Sequence, residues 1–267
     1  MHRACTIVVD TLKLLAEAAV PGVTTKELDV IARESIVKAG AKPAFLGYRG
    51  YPATLCISVN EEVVHGIPGK RKLQDGDVVG LDLGCIVEGF FGDAARTVAV
   101  GRVSEGAQRL MRVAEEALHA GIAQCHPGRR VGDIGHAVQE HAEGHGYTVV
   151  REFVGHGIGT SLHEDPQVPN YGPAGRRERL VPGMCLAIEP MVNAGGPGVR
   201  VLSDGWTAVT TDGSLSAHFE LSIAVTPEGP WVLSDPYPYA KEASEAEFTS
   251  AKRAGGLGGA AQRPPAW

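Results

Sequence analysis

The chain has 267 residues, with 25 Lys and Arg against 31 Asp and Glu, a net charge of −6. That balance excludes a strongly basic nucleic-acid binder, and a 43% hydrophobic share argues against a disordered chain. No apolar run approaches the roughly 18 residues of a membrane span, and MHRACTIVVD reaches Asp10 without the apolar stretch of a secretory signal.

From Ala4 to Ala19, apolar residues recur at helical spacing (Ile7, Val8, Leu12, Leu14, Leu15), and Pro21-Gly22 ends the run. Thr24 or Thr25 is placed to cap a second helix, with Leu28, Ile31, Ile36 and Val37 inward and Gly40 closing it. From Tyr48 the period shifts to that of strands, in TLCISVN, DVVGLDLGCIV and FFGDAARTVAV. Helices follow around Ala107 to Gln124 and Asp133 to Gly144. Strand-like segments return in TVVREFV, GMCLAIEPMV, GVRVL, WTAVTT and FELSIAVT. The order predicts an α+β architecture with two halves of similar plan, in one domain over residues 1–236. After Pro236 the chain is charged, then Gly/Ala-rich, then Pro-rich, which predicts a disordered tail over 237–267.

The five cysteines are widely spaced with no CxxC, so a disulfide framework is not expected and a reducing cytoplasm is. Glycine is in excess, with 35 residues, many beside His, Asp and Glu in the middle of the chain. Tight turns next to polar side chains are what a constructed site needs.

Glu88-Gly89 reads as a two-residue hairpin turn. Without a bulge, Gly84 then faces Asp93, and Asp82 shares the face of Asp93. Diagonal neighbours on one face lie about 7–8 Å apart. Two ionised carboxylates aimed at an apolar interior repel unless a cation lies between them; aimed outward they are ordinary surface acids. His156 and His163 stand in GHGIGTSLHEDP, where one could bind metal and the other substrate, or both could be structural. Glu189 and Glu220 are each a single acid within an apolar, strand-like run, which needs a partner if the side chain points inward. Asp82, Asp93, His156, Glu189 and Glu220 together offer carboxylates and one imidazole but no thiolate. Such a set suits one or two divalent ions of Mn, Fe, Co or Zn, not a structural Cys site.

The segments VNEEVVHGIPGKRKLQDGDVVGLDLGCIVEGFFGD, GHGIGTSLHEDPQVPNY, GMCLAIEPMVN and DGWTAVTTDGSLSAHFE resemble the bacterial type I methionine aminopeptidases. PGVTTKELD and GYRGYPATLCIS match as well, so the similarity runs from about Arg3 to Pro236. The resemblance implies the pita-bread fold, two pseudo-symmetric halves around a dinuclear metal site. It implies removal of the initiator methionine from nascent polypeptides when the next residue is small. Carried over to this sequence, Asp82, Asp93, His156, Glu189 and Glu220 are the metal ligands, with Asp93 and Glu220 bridging. His65 and His163 contact the scissile peptide, and Glu189 is the proton carrier. Tyr48, Tyr51, Cys56 and Trp206 surround the methionine side chain, with Phe45 and Leu162 lining or adjoining that pocket.

Four positions depart from the family pattern: Phe45 stands where Cys occurs, Leu162 where Phe is common, Phe91 where His is common, and Leu221 where His often follows the last ligand. None is a ligand. The family's role implies transient ribosome contact; a cytoplasmic monomer with no membrane or nucleic-acid partner is expected. Two other classes share the fold. Proline-specific peptidases usually carry an extra N-terminal domain, and non-catalytic binding modules usually lose ligands that are all retained here.

Overall fold

The computed structural model describes residues 1–234, so the tail expected over 237–267 lies outside the described residues. In chain order the elements are α1 (His2–Ala18), α2 (Thr25–Lys38), β1 (Lys42–Pro43), a single 3₁₀ turn at Tyr48–Gly50, β2 (Leu55–Val59), β3 (Glu62–Val64), β4 (Val78–Val87) and β5 (Phe90–Ala99). Then come α3 (Glu105–Ile122), α4 (Val131–Gly144), β6 (Thr148–Val149), β7 (Gly155–Gly157) and β8 (Glu164–Val168). The last are β9 (Cys185–Ile188), β10 (Met191–Asn193), β11 (Val199–Val201), β12 (Ala208–Thr210), β13 (Ser216–His218), β14 (Glu220–Thr226) and β15 (Gly229–Val232).

The helix signals work as physical chemistry dictates. Thr24 and Glu27 form a reciprocal cap on α2, the Thr24 amide donating to the Glu27 carboxylate at 2.7 Å. Past its other end Gly40 takes φ +75°, a conformation that costs glycine little. The inner face differs from the expected one. Leu28, Ala32 and Ile36 are buried, while Val37 is 57% exposed, because one step from Ile36 turns about 100° around the helix. On α1, Val8, Leu12 and Leu15 are buried and Leu14 faces out for the same reason.

β4 and β5 form the long hairpin. Glu88 and Gly89 both have positive φ, 50° and 83°, as a tight two-residue turn requires. Val87 pairs with Phe90 and Gly84 with Asp93, as the alternation implies. The hairpin belongs to a nine-strand sheet with the order β1-β4-β5-β14-β9-β7-β8, to which β2 and β15 add through β4 and β14. Two three-strand sheets, β13-β10-β6 and β11-β12-β3, flank it.

GMCLAIEPMV is not one strand. It breaks at Glu189-Pro190, since proline has no N–H for the ladder. β9 before the break pairs with β14 and β7 in the large sheet, and β10 after it pairs with β13 and β6 in a small one. The same crossing occurs at Phe219, where the chain leaves β13 for β14. Glu189 and Glu220 therefore stand at two adjacent points where strands change sheet.

Candidate metal centre

The sheet register lines up the floor of the site. Cys56 on β2 pairs with Asp82 on β4, Asp82 with Ala95 on β5, and Ala95 with Glu220 on β14. Asp93 lies two residues from Ala95 on the same face. The small side chain of Ala95 leaves the space between the acids open. Asp93, His156 and Glu220 each offer a ligand atom within 4.8 Å of the others, and all three residues are buried. Glu189 joins them through Oε1, 3.4 Å from Nε2 of His156.

These groups fit divalent cations. Oδ1 of Asp82, Oδ1 of Asp93 and Oε1 of Glu220 are buried without a hydrogen-bond partner, a costly state for a carboxylate unless a cation meets it. Burial pushes the Asp82 carboxyl up to about 7. It pushes Asp93, Glu189 and Glu220 well above the carboxylate range, and the neighbouring acids push them further. His156 donates from Nδ1 to the Gly157 carbonyl at 2.9 Å, which leaves the Nε2 lone pair facing the acids. Burial holds that ring neutral, with its pKa down to about 4.

Above the floor lies a cavity of about 150 Å³. All thirteen residues singled out in the sequence line it, the last eight being Phe45, Tyr48, Tyr51, Cys56, Leu162, Trp206, His65 and His163. Tyr51 is fixed by its hydroxyl, 2.8 Å from the Gly66 carbonyl, and meets Trp206 edge-on at 5.0 Å. Phe45 lies against Gly84, where a Cβ would come within 2.8 Å of its ring. His65 has φ 61° and sits edge-on to Phe153 at 5.3 Å, with its pKa lowered to about 4 mainly by burial. Tyr48 reaches beyond the apolar wall, its hydroxyl 2.7 Å from Nδ1 of His163.

Residues 1–227 match the model of metallopeptidase family M24. The chain is 52% identical over 234 residues to methionine aminopeptidase of Clostridium perfringens, covering 88% of this chain and 94% of that protein. The chain belongs to the methionine aminopeptidases of family M24. It is 51% identical to methionine aminopeptidase 1 of Bacillus subtilis, over 86% of this chain and 92% of the relative. Among solved structures, methionine aminopeptidase of Thermotoga maritima superposes with a TM-score of 0.87 at 46% identity, over 88% of this chain and 95% of that one. Prolidase from Pyrococcus furiosus shares the pita-bread fold at 21% identity and a TM-score of 0.72, this chain spanning 63% of its length.

Two residues of the site escape sequence reasoning. His218 is buried, with Nε2 3.9 Å from Oε2 of Glu189 and no hydrogen-bond partner on that nitrogen. Its two-residue spacing from Glu220 spans the crossing at Phe219 from β13 to β14, so strand alternation does not mark it. Arg49 lines the cavity with φ 49°, and its guanidinium lies 5.4 Å from the Tyr48 ring centroid. No pattern around it marks the site. The departures are accommodated: Leu221 packs opposite Ile188 and Ala94, and Phe91 packs beside the cluster of Phe45 and Tyr51.

Proposed function

We propose that this chain hydrolyses the first peptide bond of polypeptides that begin with methionine and continue with a small residue. The observation that supports it most is the juxtaposition of partnerless buried carboxylate oxygens with the apolar side chains of Phe45, Tyr51, Cys56, Leu162 and Trp206 in one cavity. Asp82, Asp93, His156, Glu189 and Glu220 would hold two divalent ions. Cobalt, manganese, iron and zinc all suit such donors. Bound there, the ions supply positive charge that acidifies water and polarises a carbonyl.

The remaining steps belong to the protein. Phe45, Tyr51, Cys56, Leu162 and Trp206 form an apolar slot for the flexible thioether. The acidic floor favours a free N-terminal amine, which an internal residue lacks. His163, anchored by Tyr48, donates a hydrogen bond from Nε2 to the developing oxyanion. His65 positions the scissile peptide. Glu189 takes a proton from water and returns it to the leaving amine. Nascent chains in the cytoplasm, met by a monomer in transient contact with the ribosome, are the setting that the family resemblance supports. No described helix is long and apolar enough to cross a membrane.

The test is hydrolysis of Met-Ala-Ser beside Ala-Ala-Ser, Met-Arg-Ser and an X-Pro peptide, with metal-loaded and chelated protein. Metal-dependent release of methionine from Met-Ala-Ser alone is expected. Preference for the X-Pro peptide, or equal cleavage after alanine, would overturn the assignment.

A further inference from the structure

Among the described residues a second group of ligand-type side chains lies outside the catalytic cavity: Glu116, His141 and His145. Glu116 is on α3, His141 in the last turn of α4, and His145 immediately follows α4 as its C-cap. One donor atom of each lies within 4.8 Å of the others. Nε2 of His141 is 3.1 Å from Oε2 of Glu116, and the two imidazole centroids are 4.5 Å apart.

Nδ1 of His145 lies 2.8 Å from the His141 carbonyl. A carbonyl only accepts, so Nδ1 carries the proton and Nε2 holds a free lone pair. A backbone carbonyl on the second ring nitrogen is the usual support of a metal-ligating histidine. The C-terminal end of α4 adds the negative pole of the helix dipole, which favours a cation. Two arginines act against it. Arg112 lies 3.8 Å from Oε1 of Glu116, and Arg109 donates to the His145 carbonyl at 3.1 Å. Arg112 faces Oε1, which leaves Oε2 turned toward the imidazoles. The alternative is that His141 and Glu116 make only an ordinary hydrogen bond between helices, and His145 nothing more than a cap.

We propose that Glu116, His141 and His145 form a peripheral site for a borderline divalent ion, Zn²⁺ or Ni²⁺, that clamps α3 to α4. Two imidazoles and one carboxylate select such ions over Mg²⁺ and Ca²⁺. The flanking arginines make the site weaker than the catalytic centre. Glu116 and His141 are partly exposed and His145 is exposed, so small rotations can close the ligand spacing.

The experiment is equilibrium dialysis of the full chain against Zn²⁺, followed by metal analysis, for wild type and the His141→Ala/His145→Ala variant. Wild type should carry one more equivalent than the variant, while Met-Ala-Ser turnover stays the same. Zn²⁺ should also raise the Tm of wild type further than that of the variant. Equal zinc content in the two proteins would overturn the site. Should the double variant fold poorly, His145→Gln alone changes only the exposed helix end. It should weaken the extra Zn²⁺ equivalent by at least about tenfold, and unchanged affinity there would overturn the site equally.

Discussion

The hydroxyl of Tyr48 lies 2.7 Å from Nδ1 of His163, with the two rings stacked at 5.2 Å between centroids. The contact joins the 3₁₀ turn at Tyr48–Gly50 to the loop before β8 and turns the other ring nitrogen of His163 to the cavity. His163→Ala should lower kcat by about a hundred- to a thousandfold, as loss of an oxyanion donor does, with bound metal retained. Tyr48→Phe should lower kcat in the same direction but by less. Metal loss in His163→Ala would make that histidine a ligand instead.

Both imidazoles are harder to protonate than usual: His65 is lowered to about 4, by burial and then by electrostatic coupling to neighbouring His163, and His163 is held below its ordinary value by burial and then by Arg49. Each base must therefore be taken below the usual imidazole pKa of about 6.5 before it is protonated. The acid limb of kcat/KM should lie below that pH. Arg49→Gln removes a repelling cation, raises the His163 pKa and should move the limb toward higher pH. A wild-type limb at the ordinary imidazole value, or one that Arg49→Gln leaves in place, would contradict this electrostatic picture.

Much of the site was legible because strands alternate. Glu88-Gly89 set the hairpin, the hairpin set Gly84 against Asp93, and that placed Asp82 and Asp93 on one face. Glu189 is legible as an acid in an apolar run, but that run does not show that the break at Pro190 carries it from one sheet to another. Arg49 and His218 depend on which strands and loops become neighbours in space, and periodicity along the chain is silent on that. On α2 the periodicity marks the segment but not its whole inner face, because Val37 is apolar yet points to solvent.

Gly84 sets the space available to Phe45. A Cβ at Gly84 would approach the Phe45 ring to 2.8 Å and the Ala44 methyl to 3.1 Å. Gly84→Ala should push Phe45 into the cavity and raise KM for Met-Ala-Ser more than it lowers kcat. Phe45→Cys alone should change kcat/KM less than about tenfold, the scale of small misfits in apolar pockets. Combined with Gly84→Ala it should restore most of the lost affinity. Unaltered KM in Gly84→Ala would show that the ring yields elsewhere.

His218 holds a polar nitrogen beside Glu189 in a buried setting, and its ring is neutral, with a pKa lowered to about 3 by burial. His218→Gln keeps a polar side chain there and should retain metal and most turnover. His218→Leu leaves Glu189 beside an apolar group and should lower kcat and metal affinity together, in the about 10–100-fold range of lost supports around metal ligands. Equal behaviour of the two variants would limit His218 to packing.

The most direct test is metal content measured beside Met-Ala-Ser turnover in wild type, Asp93→Ala and Glu220→Ala, with folding checked by circular dichroism. Wild type should hold two catalytic ions and release methionine. Each variant should remain folded, lose the two-ion centre and lose activity, since Asp93 and Glu220 supply converging oxygens that no protein donor satisfies. Near-normal turnover and metal content in either variant would contradict the metal centre and the reaction built on it.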